Sequence, residues 1–219
     1  MPSPVGHGLA GLAAGWAVAS PARGRRPLIT QAAVFIALGA VPDLDLLFGR
    51  HRYETHSIGA AVLAGAVAAL MRWPIAPTRA RIFWAACAAW ATHPLLDVLA
   101  PDHWPPIGVM AWWPFSQGFY ITGLEWFLPI ARDWRSPAAL WLDARAAVRE
   151  TLILAPIVLV VWWIRTGKGR IRGRSFGPTD PHSPSAGAAD RDGTSDRRGH
   201  HGALRESPGR RRGRLGPPG

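Results

Sequence analysis

Apolar residues along the chain gather into five segments, which are separated by connections that contain arginine or proline. The segments cover about residues 9–20, 28–41, 57–73, 80–100 and 151–164. Segment 80–100 is long enough to cross a hydrocarbon core of roughly 30 Å, whereas the shorter segments need tilting or shielding by neighbours. The pattern predicts an all-α protein, a polytopic membrane helical bundle of about five apolar helices.

The composition divides the chain into an apolar part and a basic tail. Residues 165–219 hold 13 arginines and lysines against five acidic residues and contribute +8 of the net charge of +11. Such a stretch, filled with glycine, proline and serine, cannot bury enough apolar surface to offset its ordering entropy. We expect a membrane-embedded domain over residues 1–164 and a disordered basic tail over residues 165–219.

The excess of positive charge does not indicate a specific nucleic-acid partner. The charge is a property of the tail, and no recognition helix or aromatic stacking motif accompanies it. Attraction to the anionic headgroups of membrane lipids explains the same charge.

The positions of the arginines predict an orientation in the membrane. Arginines follow the first segment, separate the third from the fourth, and follow the fifth: Arg23, Arg25, Arg26, Arg72, Arg79, Arg81 and the residues from Arg165 onward. The positive-inside rule makes these connections, and the tail, cytoplasmic. Five alternating crossings then place the N-terminus, residues 48–55 and the region after Asp97 on the extracytoplasmic face, where Arg50 and Arg52 are the exceptions to the rule.

Carboxylate and imidazole side chains lie at the extracytoplasmic ends of these segments. An ionisable group at membrane depth is costly unless it meets a partner, a metal or water, so a group of them marks a candidate site. Neutral imidazoles and carboxylates together are typical donors for a divalent metal such as zinc or manganese. The candidate ligands are His7, Asp43, Asp45, His51, His56, His93 and Asp97.

The candidates near the fourth segment and in the loop have structural alternatives. His93 and Asp97 are four residues apart and share one helix face, so they can serve one ion or simply hydrogen-bond to each other. Pro94 predicts a local break in this helix that would open space at the site. His51 lies between two arginines and is either a ligand or an interfacial residue without chemistry.

The candidates around the second and third segments also have alternatives. Asp43 and Asp45 follow Pro42, so we expect extended backbone that holds both carboxylates on one side, with helix capping in a solvated turn as the alternative. His56 lies at the predicted start of the third helix, which the preceding threonine or the following serine can cap. The positive end of the helix dipole favours a neutral imidazole there, as metal binding requires.

Several motifs together resemble a known family. They are Ser-Pro-Val-Gly-His7, Pro42-Asp43-Leu44-Asp45, His51-Arg52 with Thr55-His56-Ser57, His93-Pro-Leu-Leu-Asp97 and Trp113-Pro114-Phe115-Ser116. Each motif is weak alone, but five in this order over residues 1–130 resemble the YdjM-like family of membrane-bound metal-dependent hydrolases. The resemblance implies a multi-pass protein of the bacterial inner membrane whose divalent metal is held by the seven candidate ligands. Pro94 departs from the family pattern, in which leucine follows the histidine.

The donor set and the resemblance predict a function. As an enzyme, the protein would be a metal-dependent hydrolase that attacks a phosphoester or lipid-like substrate through a metal-activated water. Arg50 or Arg52 would neutralise the phosphate of that small-molecule or lipid substrate. The alternative is a non-catalytic metal-binding membrane protein, such as a transporter or sensor component, although a transport path requires polar residues at successive depths.

Residues 101–134 are rich in tryptophan and phenylalanine, which is typical of an interfacial belt. Asp102 and His103 follow Asp97 closely and are expected to be solvated rather than to join the candidate ligands. Glu125 has no evident partner in the sequence and is a further candidate base.

Overall fold

The computed structural model describes residues 1–131 and 135–172, with side chains as far as residue 167. In these residues it has five α-helices and no strand: α1 Pro4–Ala19, α2 Arg25–Ala40, α3 Ile58–Leu70, α4 Arg79–Val98 and α5 Pro137–Arg172. Two 3₁₀ helices, Val41–Phe48 and Glu54–His56, lie between α2 and α3. The prediction of an all-α protein is confirmed for the described part of the chain.

Hydroxyl side chains and a proline set several helix boundaries. Ser3, Ser57 and Thr78 each accept a hydrogen bond from the main-chain N–H three residues later, and so begin α1, α3 and α4. These bonds satisfy donors that a helix N-terminus leaves unpaired. Pro42 has no N–H to continue the α-helical pattern, so α2 ends at Ala40 and the chain proceeds as a 3₁₀ helix.

Helix α1 is central in the bundle and contacts α2, α4 and α5, while α3 packs against α4. At one end of α1, the main-chain N–H of Ser3 donates to Glu150 of α5 at 2.8 Å. At the other end, Arg165 of α5 donates to the carbonyl oxygen of Val18 at 3.2 Å. Helix α5 therefore runs beside α1 in the same direction.

The crossing of α1 and α2 depends on glycine. Gly11 and Gly39 face each other across the crossing, and a Cβ atom on Gly39 would overlap the carbonyl oxygen of His7. Small residues let two backbones approach closely, and packing at close range is what holds helices together where water is absent. The surrounding core is filled mainly by alanines with Trp16 and Phe35. This crossing fixes the position of the first turns of α1.

Gln31 joins two interhelical connections at the end of the bundle where α1 ends and α2 begins. Its side-chain oxygen accepts hydrogen bonds from Trp16 Nε1 at 3.0 Å and from the Ala22 N–H at 2.9 Å. Its amide nitrogen donates to the carbonyl oxygens of Ser20 at 2.9 Å and Ile75 at 2.8 Å. The arginine-containing connections α1–α2 and α3–α4 therefore lie together at one end, as the predicted topology requires.

Two stretches of the described chain are long and apolar enough to cross a membrane. They are Arg25–Phe48, which combines α2 with the first 3₁₀ helix, and Pro137–Gly167 in α5. Helix α3 is apolar but has only 13 residues. The expectation of five spanning helices is thus supported for two of them, and five crossings stay a prediction.

Helix α5 is longer than the apolar segment that predicted it. It begins at Pro137 rather than near residue 151, because the charged residues Asp143, Arg145, Arg149 and Glu150 lower the local hydropathy without breaking the helix. Residues 165–172, which the sequence analysis assigns to the tail, form its last turns. Residues 173–219 of the expected disordered tail lie outside the described residues.

The break expected at Pro94 is absent, because α4 continues through this residue to Val98. A proline removes one helical hydrogen bond but does not force a break where packing holds the helix on both sides. Helix α4 is held in this way by α1, α2 and α3. As a result, His93 and Asp97 remain one turn apart on a continuous helix.

Candidate metal centre

The seven candidate ligands converge at the end of the bundle where α1 and α3 begin and α2 and α4 end. They come from four separate parts of the chain: α1, the first 3₁₀ helix, the connection to α3, and α4. The imidazoles of His7, His56 and His93 are fully buried, and the Asp97 side chain is nearly so. Asp43 and His51 are the most exposed of the seven, with 15% and 10% of their side-chain surface exposed.

Four donor atoms at the centre are spaced as ligands of one ion would be. The Nε2 atoms of His56 and His93 are 3.0 Å apart. Asp43 Oδ1 lies 3.6 and 3.4 Å from these two nitrogens, and Asp97 Oδ2 lies 3.4 Å from each. Donors bound tetrahedrally at the usual zinc distance are about 3.4 Å from one another. The distances from each histidine nitrogen to the two carboxylate oxygens therefore match those of a coordination shell.

The outer nitrogens of these two histidines are committed to other partners. His93 Nδ1 lies 2.7 Å from the carbonyl oxygen of Gly39, which can only accept, so Nδ1 carries the hydrogen. Thr55 Oγ1 donates to Asp45 Oδ2 and can then only accept from His56 Nδ1, at 3.0 Å. When both imidazoles are neutral, these bonds leave a lone pair on each Nε2 atom, directed at the centre. Such outer hydrogen bonds are the usual way in which a metal-binding histidine is oriented.

Asp43 and Asp45 lie in a 3₁₀ helix and not in extended backbone, which corrects the sequence expectation. The φ of Pro42 suits a 3₁₀ helix as well as an extended chain, so the proline alone did not decide between them. Residues two apart in a 3₁₀ helix point in different directions. Asp43 accordingly faces the centre, whereas Asp45 accepts hydrogen bonds from His51 Nδ1 at 2.7 Å and from the Arg52 N–H at 3.2 Å.

His7 and Asp97 carry buried polar atoms that no described residue satisfies. Neither ring nitrogen of His7 and neither carboxylate oxygen of Asp97 makes a hydrogen bond within the described residues. His7 Nε2 lies 3.4 Å from Asp97 Oδ1, and its ring stacks on that of His93 at 3.7 Å between centroids. Buried polar atoms are nearly always paired, so unpaired ones that face each other call for a bound partner.

The residues present fit a divalent cation. Three carboxylates in a nearly sealed cluster are costly without a compensating positive charge. Burial lowers the pKa of His56, but its hydrogen bonds with Asp43 and Asp45 outweigh burial and raise the pKa to about 9. The electrostatic field that the carboxylates produce at His56 thus favours a positive charge there. Two groups of side chains can hold a metal ion: His7, His93 and Asp97 in one, and Asp43, His51 and His56 in the other.

The two arginines expected to bind substrate have different environments. Arg50 is exposed and forms an ion pair with Glu54 at 2.7 Å. The Arg52 side chain is only 5% exposed and bonds to the Asp102 carboxylate and to the carbonyl oxygens of Trp104 and Pro106. Its buried charge is thus already paired, which favours a structural role for Arg52, and phosphate binding by Arg52 stays a prediction. The Asp102 side chain is 5% exposed, so the expectation of a solvated Asp102 is wrong.

Replacing each arginine with glutamine is expected to separate these roles. Arg52→Gln leaves the Asp102 carboxylate buried without its counter-charge and should destabilise the protein by about 3–5 kcal/mol. Arg50→Gln removes an exposed pair and should cost less than about 1 kcal/mol. Thermal unfolding of both variants in the same detergent checks this. Equal midpoints for the two variants would contradict a structural role for Arg52.

The sequence analysis missed Glu150 and Thr55. Glu150 is fully buried in α5 and accepts hydrogen bonds from the N–H and the hydroxyl of Ser3, one turn before His7. An acidic residue at the edge of the most hydrophobic segment was a signal of the same kind as those used for the other candidates. Thr55 orients Asp45 and His56, and its only sequence signal was the neighbouring histidine.

The fold and the cluster define a class: an all-helical membrane protein with a buried group of histidine and aspartate donors at one end of its bundle. A family model described as YdjM inner membrane protein matches residues 1–171, and the chain belongs to this family. The resemblance inferred from the motifs is thereby confirmed, as is a location in the inner membrane. No curated protein and no solved structure matches the chain.

Proposed function

We propose that the protein is a membrane-bound metal-dependent hydrolase that acts on a phosphoester or lipid-like substrate. The observation that carries this proposal is that Asp43 and Asp97 each place a carboxylate oxygen 3.4–3.6 Å from the Nε2 atoms of both His56 and His93, which are 3.0 Å apart. A divalent ion at such a centre supplies two things, a water of lowered pKa and a polarised phosphoryl or acyl oxygen. The donor set suits zinc or manganese.

The surroundings of the exposed donors favour an amphiphilic substrate. Asp43 and His51 are the donors that solvent reaches, and both adjoin the first 3₁₀ helix. In that helix Leu47 and Phe48 are 79% and 82% exposed. Large exposed apolar side chains are expected where a protein meets lipid or a lipid-like ligand. The exposed Arg50 lies next along the chain and is the arginine that remains able to meet a phosphate.

The chain's own residues have separate roles in this proposal. Asp43, His56, His93 and Asp97 hold the ion, and Asp45, Thr55 and the Gly39 carbonyl orient them. The burial of the inner donors excludes bulk water, which strengthens their electrostatic effect on bound substrate. Asp43 is the carboxylate that is both central and partly exposed, which makes it the candidate to take a proton from the attacking water.

The test is hydrolysis by detergent-purified protein supplied with zinc or manganese. The probes are bis(p-nitrophenyl) phosphate and phosphatidic acid in mixed micelles. We expect hydrolysis of at least one probe, loss of that activity in His56→Ala, and retention in His103→Ala, which removes an exposed histidine outside the cluster. Bound metal without hydrolysis of either probe would contradict the enzymatic proposal and favour a non-catalytic metal-binding protein.

A non-catalytic role has one observation in its favour, which is that most of the donors are sealed from solvent. Sealed donors suit permanent metal binding as in a sensor component. Transport fits less well, because the candidate ligands lie at one end of the bundle and a path requires polar groups at successive depths. The hydrolysis assay above separates these functions.

We further propose that the centre faces the extracytoplasmic side and that α5 ends in the cytoplasm. The connections that Gln31 joins, together with the end of α5, carry the arginines that the positive-inside rule places inside. Green fluorescent protein fused after Arg172 should therefore fluoresce, and alkaline phosphatase fused there should be inactive. The reverse pattern would overturn this orientation.

A further inference from the structure

We propose that the cluster binds two divalent ions, an inner one held by His7, His93 and Asp97 and an outer one held by Asp43, His51 and His56. This inference rests on the proposed metal centre and divides its ligands between two ions instead of assigning four of them to one. In each group the ligand atoms lie within 4.8 Å of one another. Three protein ligands per ion leave positions open for water and substrate, which is typical of catalytic rather than structural sites.

The number of donors exceeds what one ion requires. One tetrahedral ion would be satisfied by His56, His93, Asp43 and Asp97, and would leave His7 with only the Asp97 Oδ1 atom, 3.4 Å from its Nε2 atom. Yet both nitrogens of His7 are fully buried and unpaired within the described residues. Burying an unpaired imidazole costs free energy and gains nothing unless a ligand compensates for it. His7 therefore indicates a second ion position.

The carboxylate of Asp97 faces both positions. Its Oδ1 atom lies 3.4 Å from His7 Nε2, and its Oδ2 atom lies 3.4 Å from His56 Nε2. Neither oxygen has a hydrogen-bond partner among the described residues. A carboxylate that uses its two oxygens in two directions is suited to bridge two cations, which in two-metal hydrolases are about 3.5–4 Å apart.

The charge of the cluster also favours two ions. Asp43, Asp45 and Asp97 bring three negative charges to a nearly sealed site. One divalent ion leaves a net negative charge, which would repel a phosphoester anion. Two divalent ions would make the net charge of the cluster positive, and the cluster would then attract the phosphoester anion. A dinuclear centre is thus the form that matches the proposed substrate class.

The two positions differ in access to solvent. The inner ligands are at most 3% exposed, whereas Asp43 and His51 of the outer group have side chains 15% and 10% exposed. A chelator can reach the outer ion directly, but reaches the inner one only after the bundle opens locally. We therefore expect one ion to be removed rapidly and the other slowly.

The experiment measures metal per chain by elemental mass spectrometry on protein saturated with zinc and freed of excess. We expect two ions in the wild type, one in His7→Ala, one in His51→Ala and two in His103→Ala. In the manganese-loaded wild type, electron paramagnetic resonance should show two exchange-coupled ions, and His7→Ala should show the spectrum of an isolated ion. The wild-type count and spectrum test the inference even where a variant fails to fold.

One ion per saturated wild-type chain would overturn the dinuclear inference while leaving a mononuclear hydrolase intact. Two ions lost together from both single variants would overturn the assignment of separate ligand groups. A wild type that binds no metal would instead refute the proposed function itself. The outcomes therefore distinguish failure of this inference from failure of the function on which it rests.

Discussion

Asp97→Asn is expected to remove all bound metal from the protein. Asp97 faces His7 through one oxygen and His56 and His93 through the other, so it serves every ion position that the cluster offers. Asparagine has nearly the same shape but lacks the negative charge and presents an NH₂ group to the imidazoles. Loss of an outer partner of a metal ligand typically costs roughly 10–100-fold in affinity, and loss of the ligand itself should cost more. Elemental analysis of the purified variant measures the effect.

Thermal unfolding separates this result from misfolding. In the absence of metal, the variant and the wild type should each unfold in one cooperative transition, which shows that the variant is folded. Added zinc should raise the midpoint of the wild type and leave that of the variant unchanged. Glu125→Gln, an exposed carboxylate-to-amide change, is the matched control and should bind metal normally. Wild-type metal content in Asp97→Asn would refute the assignment of Asp97.

Gly39→Ala is expected to damage both the fold and the metal centre. The added Cβ atom would overlap the carbonyl oxygen of His7, so α1 and α2 must move apart. Overpacking of this kind costs about 1–3 kcal/mol. The Gly39 carbonyl also accepts the hydrogen bond that orients His93, so a shift of the backbone misplaces two candidate ligands together. A lower unfolding midpoint and weaker zinc binding, measured by competition with a chelator, are the expected results.

Gly167→Ala is the matched control for Gly39→Ala. Gly167 lies in α5 with open space around the position of a Cβ atom. Alanine is favoured over glycine in a helix by about 1 kcal/mol, so this variant should be at least as stable as the wild type. Gly39→Ala with the stability and zinc affinity of Gly167→Ala would show that the close crossing of α1 and α2 is not required.

The candidate ligands could be predicted from the sequence because membrane depth makes ionisable residues rare and informative. The order of the apolar segments and the arginines between them also predicted which helix ends meet, and the structure brings all seven candidates together at those ends. The position of His93 and Asp97 on one helix face could be predicted from the helical repeat alone. Here local rules and the global fold agree, which is why the expected convergence of these side chains is found in the structure, while their role as ligands stays a prediction.

The errors have a common cause, which is that packing outside the local sequence decided the outcome. Pro94 predicts a helix break, but α4 continues past it because neighbouring helices pack against α4 on several sides. The sequence around Arg52 predicts an exposed cation near the metal site, but Arg52 forms an ion pair with Asp102, 50 residues later in the chain. Glu150 supports the first turn of α1 across 147 residues. Contacts over such separations leave no periodic pattern for a sequence analysis to detect.

The origin of the donors in four separate parts of the chain couples metal binding to the assembly of the bundle. The inner group joins His7 of α1 to His93 and Asp97 of α4, so its ion binds well only after these two helices have come together. By mass action, free metal at about 100 times its dissociation constant adds about 2.7 kcal/mol to the stability of the assembled state. A chain without metal would thus hold its helices together less firmly than a chain that carries it.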